Sequence, residues 1–259
     1  FTWASTWSKQ TKIPIQLKEI HEIPKNLVPF KVINRSDINE DQTFVLKLKS
    51  TKKKAFKSGD ILEIYPKKET KPRQYSIAVI DNEILLSIKK HNHGICSTYL
   101  SKTEKGDTCY GKIQNNKSFH FPNLCGEVIL ICNGTGIAPF LGMIHENTKC
   151  INTHLFWGGR NKSSFELYRN QVTSAVKKKQ LSSINLIYSW ENKEKKYVQH
   201  LVKENSKMIV RVLSQKGIIM ICGSINMESD VRKVLNSITM DKLNSRLTEF
   251  SSQIKSDCY

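Results

Sequence analysis

The chain has 259 residues, and 41 Lys and Arg stand against 23 Asp and Glu, a net charge of +18. That length suits one large domain or two ordinary ones, and the surplus favours an acidic partner, an anionic membrane surface or a nucleic acid. The lysine runs (residues 52–54 and 177–179) are not interleaved with aromatics, which argues against a nucleic-acid face. Nowhere do about 18 apolar residues run together as a membrane span requires.

In chain order, "FTWASTWSKQ" comes first, with Trp3 and Trp7 one helical turn apart. It reads as the end of a preceding helix or as a docking segment, and residues 1–12 are set aside as a linker or tail. No signal peptide is evident, and a start at Phe1 in place of Met suggests a piece of a longer protein. "TFVLKLKS" (43–50) and "DILEIYP" (60–66) alternate apolar and polar side chains with period two. "RQYSIAVI" (73–80) and "EILLSIKK" (83–90) flank the hairpin-like pair Asp81-Asn82. Short strands at this spacing predict an antiparallel barrel or sandwich over residues 13–123, punctuated at its end by Pro122 and Asn123.

The pattern then changes. Apolar runs at 127–132, 153–159, 184–189 and 217–222 each precede a helical stretch, starting near residues 138, 164, 197 and 227. Such alternation predicts an α/β doubly wound parallel sheet over residues 124–259, with strands buried on both faces. The seven cysteines are Cys96, Cys109, Cys125, Cys132, Cys150, Cys222 and Cys258. None forms a C-x-x-C pair, so no zinc or iron–sulfur site is signalled, and a reducing, cytoplasmic setting is expected. A cytoplasmic portion of a larger, membrane-anchored protein is the alternative.

"ICNGTGIAPF" (131–140) carries the most chemistry. Gly134 and Gly136 let the backbone approach a ligand, and the following helix points unpaired N–H groups and a partial positive charge at the turn. Pro139 falls in the first helical turn, where a missing N–H costs nothing. Such a turn seats a phosphate or pyrophosphate, and it also serves as a plain strand-to-helix connection.

Five further stretches accompany it in order: "RQYS" (73–76), "GICSTYL" (94–100), "SWENKEKKYVQ" (189–199), "ICGSINMESDV" (221–231) and the terminal "DCY". Together the six motifs resemble the ferredoxin–NADP reductase superfamily, in particular its diflavin branch of sulfite reductase flavoprotein and cytochrome reductase. The resemblance covers about residues 14 to 259. It implies a FAD-binding β-barrel followed by a nucleotide-binding α/β domain, with FAD as cofactor and NADPH as donor. NADH stays open as an alternative donor.

By this resemblance Arg73, Tyr75 and Ser76 contact FAD: a fork for the pyrophosphate, a ring for the isoalloxazine and a hydroxyl for N5. Gly94, Ile95, Cys96 and Ser97 match the second flavin motif, although Ser97 also fits a plain helix cap. Gly134, Thr135, Gly136 and Arg160 match the seat of the NADP phosphates. Ser189, Lys195, Tyr197 and Gln199 match the 2′-phosphate and adenine site, but Trp190 stands where the family has Arg. That loses a phosphate fork and leaves a ring able to stack. Cys222 and Met227 match the nicotinamide side, and Tyr259 the aromatic lid on the flavin. Ser76, Cys222, Asp257 and Tyr259 form the expected hydride-transfer group.

The resulting expectation is an NADPH-dependent flavoprotein oxidoreductase. It passes electrons through FAD to an acidic FMN- or flavodoxin-like acceptor, whose domain would precede residue 12. No connecting domain fits between Arg73 and Gly94. A stand-alone ferredoxin or flavodoxin reductase is a second reading. A basic binder of nucleic acid or membrane surfaces, with a non-catalytic nucleotide fold, is a third.

Overall fold

Period-two alternation in the first half becomes seven strands: β1 (Val28–Arg35), β2 (Thr43–Ser50), β3 (Ile61–Tyr65), β4 (Arg73–Ser76), β5 (Ala78–Ile80), β6 (Glu83–Lys89) and β7 (Thr108–Gln114). The structure is a computed structural model that describes residues 26–52, 55–66, 71–122, 126–191 and 194–259. Trp3, Trp7 and the whole 1–12 segment lie outside the described residues. The strands form one antiparallel sheet in the order β4-β3-β7-β1-β2-β6-β5.

Its two edge strands, β4 and β5, are separated in sequence by the single residue Ile77. The sheet must therefore curl until its edges nearly meet, giving an almost closed barrel. Ile77 N–H donates to the Asp60 carbonyl and Gly59 N–H to the Ile77 carbonyl, both at 2.9 Å, which ties the seam. Residues 73–80, expected as one strand, are thus two. They break because β4 pairs with β3 while β5 pairs with β6. Asp81 and Asn82 turn the β5–β6 hairpin with φ of 51° and 63°, the left-handed pair of a type I′ turn. One short helix, α1 (Ile95–Leu100), follows β6.

The second half gives five strands, β8 (Glu127–Asn133), β9 (Asn152–Gly159), β10 (Ser183–Tyr188), β11 (Ile218–Gly223) and β12 (Ile254–Cys258). All are parallel, in the order β10-β9-β8-β11-β12. Both faces are covered. Val128, Leu130 and Cys132 of β8 point to the layer of α2 (Ala138–Glu146) and α3 (Ser163–Lys177). Ile129 and Ile131 point to α4 (Val198–Glu204), α5 (Ser206–Ser214) and α6 (Ile225–Leu243). This alternation is why the strand reads as an unbroken apolar run. After β8 the chain builds outward through β9 and β10, then returns to place β11 on the other side of β8. That reversal opens a crevice at the carboxyl ends of β8 and β11, where open α/β sheets bind ligands.

The two sheets are pinned together. Glu146, at the end of α2, accepts from the Ser58 hydroxyl at 2.5 Å and from its N–H at 3.2 Å. The Tyr168 hydroxyl on α3 meets Ser87 Oγ of β6 at 2.6 Å, in the buried interior. Among the described residues no helix is long and apolar enough to cross a membrane.

Candidate active site

The crevice is built from the ends of β8 and β11. Gly134 opens a tight 3-10 turn, Gly134–Ile137, with φ of +50°, which favours glycine. The direction in which a Cβ would project from it is open space, so the turn leaves room for a ligand. Gly136 has the opposite reason. It is buried against β11, where a Cβ would run into the Cys222 carbonyl and the Gly223 backbone. The Trp157 indole N–H donates to the Gly134 carbonyl at 3.0 Å and steadies the turn. Across the crevice Ser224 caps α6, accepting from Met227 N–H at 3.3 Å, and Asn133 Oδ1 accepts from Ser224 N–H at 3.2 Å. The amino ends of α2 and α6 therefore both face the crevice, an arrangement suited to anions. Ser224, which departs from the Asp of the related motif, works as the helix cap.

Two clefts meet here. One, of about 520 Å³, lies over the parallel sheet and is lined by Gly134, Thr135, Arg160, Ser189, Tyr197, Gln199 and Met227. The other, of about 900 Å³, lies along the barrel seam and is lined by Arg73, Tyr75, Ser76, Gly94, Ile95, Cys96, Ser97 and Tyr259. These are volumes typical of nucleotide and cofactor sites. Asp41, Lys89, Thr135 and Arg160 line both. Asp41 and Lys89 carry no motif and escaped the sequence reading. Burial and the neighbouring Arg160 hold the Lys89 ammonium below its usual range, with Asp41 opposing.

At the junction, Ser76 Oγ donates to Asp257 Oδ2 at 2.7 Å, joining residues from opposite halves of the chain. Cys222 pairs in register with Asp257 across β11 and β12 and is fully buried. Burial, with Asp257 and other thiols nearby, pushes its thiol well above the usual range, so it stays neutral. Burial also raises the Asp257 carboxyl, and the Ser76 hydroxyl offsets only part of that. Tyr259 closes the set: its N–H donates to the Gly223 carbonyl at 3.0 Å, and its hydroxyl meets Thr135 Oγ1 at 3.2 Å. Its ring remains 53% exposed beside the barrel cleft. The four residues expected to work on a hydride thus converge on one place.

Three other expected residues are not part of this junction. Lys195 is exposed and is not among the described residues that line the sheet cleft. Trp190 is 59% exposed, and its ring carries the Arg160 guanidinium at 4.8 Å from the ring centroid. Ser97 makes a local turn, accepting from His91 N–H and donating to the Gly94 carbonyl, both at 3.2 Å.

The barrel cleft fits a flavin nucleotide on one independent observation. The Tyr75 hydroxyl is buried, and among the described residues it has only the Cys96 thiol, a weak partner, beside it, which leaves room for a ligand oxygen to complete it. Burial, then the Cys96 thiol, pushes this phenol up, and burial raises the Cys96 thiol to about 11.

A curled antiparallel barrel joined to a parallel nucleotide-type sheet, with a cleft on each, is the ferredoxin-NADP reductase fold. The ferredoxin-NADP+ reductase from Plasmodium falciparum shares the fold with a TM-score of 0.75 at 19% identity, over 92% of this chain and 98% of that one. Residues 130–233 match the oxidoreductase NAD-binding domain family. The chain is 36% identical over 159 residues to the nitric oxide synthase-like protein of Bombyx mori, covering 57% of this chain and 14% of that protein. It is 34% identical over 197 residues to the sulfite reductase [NADPH] flavoprotein alpha-component of Buchnera aphidicola from Acyrthosiphon pisum, 69% of this chain and 33% of that one. With the NADPH–cytochrome P450 reductase of Salmo trutta it shares 31% over 208 residues, 75% and 33%. The chain thus spans a third or less of the length of these curated relatives.

Proposed function

We propose that this chain is a FAD-dependent NADPH reductase module that delivers electrons to an acidic FMN- or flavodoxin-like acceptor. The observation that carries the reading is the Ser76–Asp257 bond at 2.7 Å, where the barrel cleft and the sheet meet over the buried Cys222. Names of the relatives support the donor and the flavin, and the charge of +18 supports an acidic acceptor.

Arg73, Tyr75 and residues 94–97 would hold FAD along the barrel cleft, with the Tyr75 hydroxyl gaining a stronger partner than the Cys96 thiol. Bound FAD would supply the chemistry the side chains lack, taking a hydride from NADPH and releasing electrons one at a time. Gly134, Thr135 and the amino end of α2 would seat the NADPH phosphates, while Ser189, Tyr197 and Gln199 receive its adenosine end. Cys222, neutral and small, leaves room for the nicotinamide without adding charge. Ser76 offers a hydroxyl at the flavin edge, and Asp257 behind it orients that hydroxyl and holds a proton more readily than an exposed aspartate. Beside the barrel cleft, Tyr259 would cover a bound flavin and would have to move aside for a nicotinamide. Held by one hydroxyl contact and one backbone bond, the ring has little to lose by moving.

A visible spectrum of the chain mixed with FAD, followed by anaerobic titration with NADPH and with NADH, tests this. The expected result is a protein-bound flavin spectrum bleached by one equivalent of NADPH. A chain that leaves FAD free in solution would rule the reading out.

A further inference from the structure

Arg160 and Trp190 stand at the ends of neighbouring parallel strands, β9 and β10, and the ladder continues past both ends. Ser189 N–H donates to the Gly159 carbonyl, and Trp190 N–H to the Arg160 carbonyl, each at 2.9 Å. The side chains then meet as well. The Arg160 guanidinium lies 4.8 Å from the Trp190 ring centroid, and its Nη1 is 3.4 Å from Asp41 Oδ1. Asp41 comes from the barrel and is itself 8% exposed, held by the Ser164 hydroxyl at the start of α3. An arginine side chain has many rotamers, and ordering it is costly. Here a ring face on one side and a buried carboxylate on another remove most of that freedom before any ligand arrives. The guanidinium keeps 41% of its side-chain surface exposed and lines both clefts, so its remaining donors are open to a phosphate.

We propose that Trp190 and Asp41 form a mount that preorganises Arg160 to grip the phosphates of the dinucleotide, which makes Trp190 a positioning residue and not a vacated phosphate contact. This rests on the nucleotide reading of the sheet cleft. A flat aromatic is what the task needs. It attracts a cation face-on while leaving the edge of the fork, with its N–H groups, free for oxygen.

Calorimetric titration of the full chain with NADP+ and with adenosine tests the mount. Trp190→Ala should weaken NADP+ about fivefold and Arg160→Ala about tenfold or more, while Trp190→Phe stays within about twofold of wild type. The double variant should bind no worse than Arg160→Ala, because the ring acts only through the guanidinium. Adenosine, which lacks phosphate, should bind all four variants alike. Additive losses in the double variant, or an equal loss for adenosine, would show the ring touching the nucleotide itself and overturn the proposal. So would a Trp190→Ala variant that binds NADP+ like wild type. A wild-type chain that binds no NADP+ would sink the nucleotide reading and the mount with it; loss of coupling in a chain that does bind sinks the mount alone.

Discussion

The five-stranded sheet carries a carboxylate near each end, one buried and one half-buried, and treats the two in opposite ways. At the amino end of β8, the Glu127 side chain is 7% exposed. It receives Arg211 Nη2 at 2.6 Å and Nε at 3.1 Å, and it meets His154 Nε2 at 2.7 Å. His154 Nδ1 in turn meets Ser183 Oγ at 2.7 Å, so the cluster stitches β8, β9, β10 and α5. Burial pushes the Glu127 carboxyl up, but Arg211 and His154 outweigh it and bring the group below its usual range. At the carboxyl end of the sheet Asp257 has the Ser76 hydroxyl, and among the described residues no cation pairs with it. There burial wins and the carboxyl rises. A saturated acid locks a structure; an acid left short of partners costs stability, and it persists where chemistry uses it.

Removing the saturated acid should have the largest effect on stability. Glu127→Ala strands His154, whose side chain is 9% exposed, and frees an Arg211 that is 49% exposed and rehydrates easily. The expected loss is about 2–3 kcal/mol, less than for a fully buried pair. In a chain of this size that lowers Tm by roughly 4–12 °C. Thermal unfolding measures it, and NADP+ affinity should hold within about twofold. A loss near zero, or a matching loss of nucleotide binding, would erase the division of labour between the two ends.

Removing the unsaturated acid should act the other way on stability. Asp257→Asn keeps a partner for the Ser76 hydroxyl and abolishes a half-buried charge, so the fold should gain up to about 1 kcal/mol near neutral pH. Hydride transfer, followed by stopped-flow with NADPH, should slow by about tenfold or more. A variant that is both less stable and fully active would invert the comparison.

Much of the fold is legible in the sequence, but unevenly. β2, β3 and β6 announced themselves by alternation, and β8, β9 and β11 by apolar runs bounded by turns. β1, β7 and β12 did not. β1 begins beside Pro29, β7 carries Gly111 at its centre, and β12 is an edge strand in which only Ile254 is buried. Their places come from pairing with distant strands, which no local window contains. Ser76, Cys222, Asp257 and Tyr259 could be picked out because each sits in a short ordered motif. Asp41 and Lys89 belong to a loop and a strand end without one, and only closure of the barrel against the sheet brings them to the clefts. Trp190 was visible as a departure, yet its partner lies in a different loop, so a ring free to stack on a ligand was the natural reading. The Glu127 cluster gave no signal at all: its members are scattered over three strands and a helix.

The smallest expected effect is also the sharpest test, because it concerns sign. A carboxyl lowered by folding stabilises the protein fully above its unfolded value, about 4.3, and loses that contribution as pH falls through the folded value. The stability difference between wild type and Glu127→Gln should therefore be flat from pH 7 to about 5 and shrink below that, by about 1 kcal/mol or less. A carboxyl raised by folding does the reverse. Asp257 costs stability once it is ionised in the folded state, so the advantage of Asp257→Asn should be largest at high pH and vanish as pH falls below the unfolded value. Urea unfolding of the three chains between about pH 2.5 and 8 gives both slopes. With each taken as wild type minus variant, two slopes of the same sign would mean that the ends of the sheet do not differ in the way their partners imply.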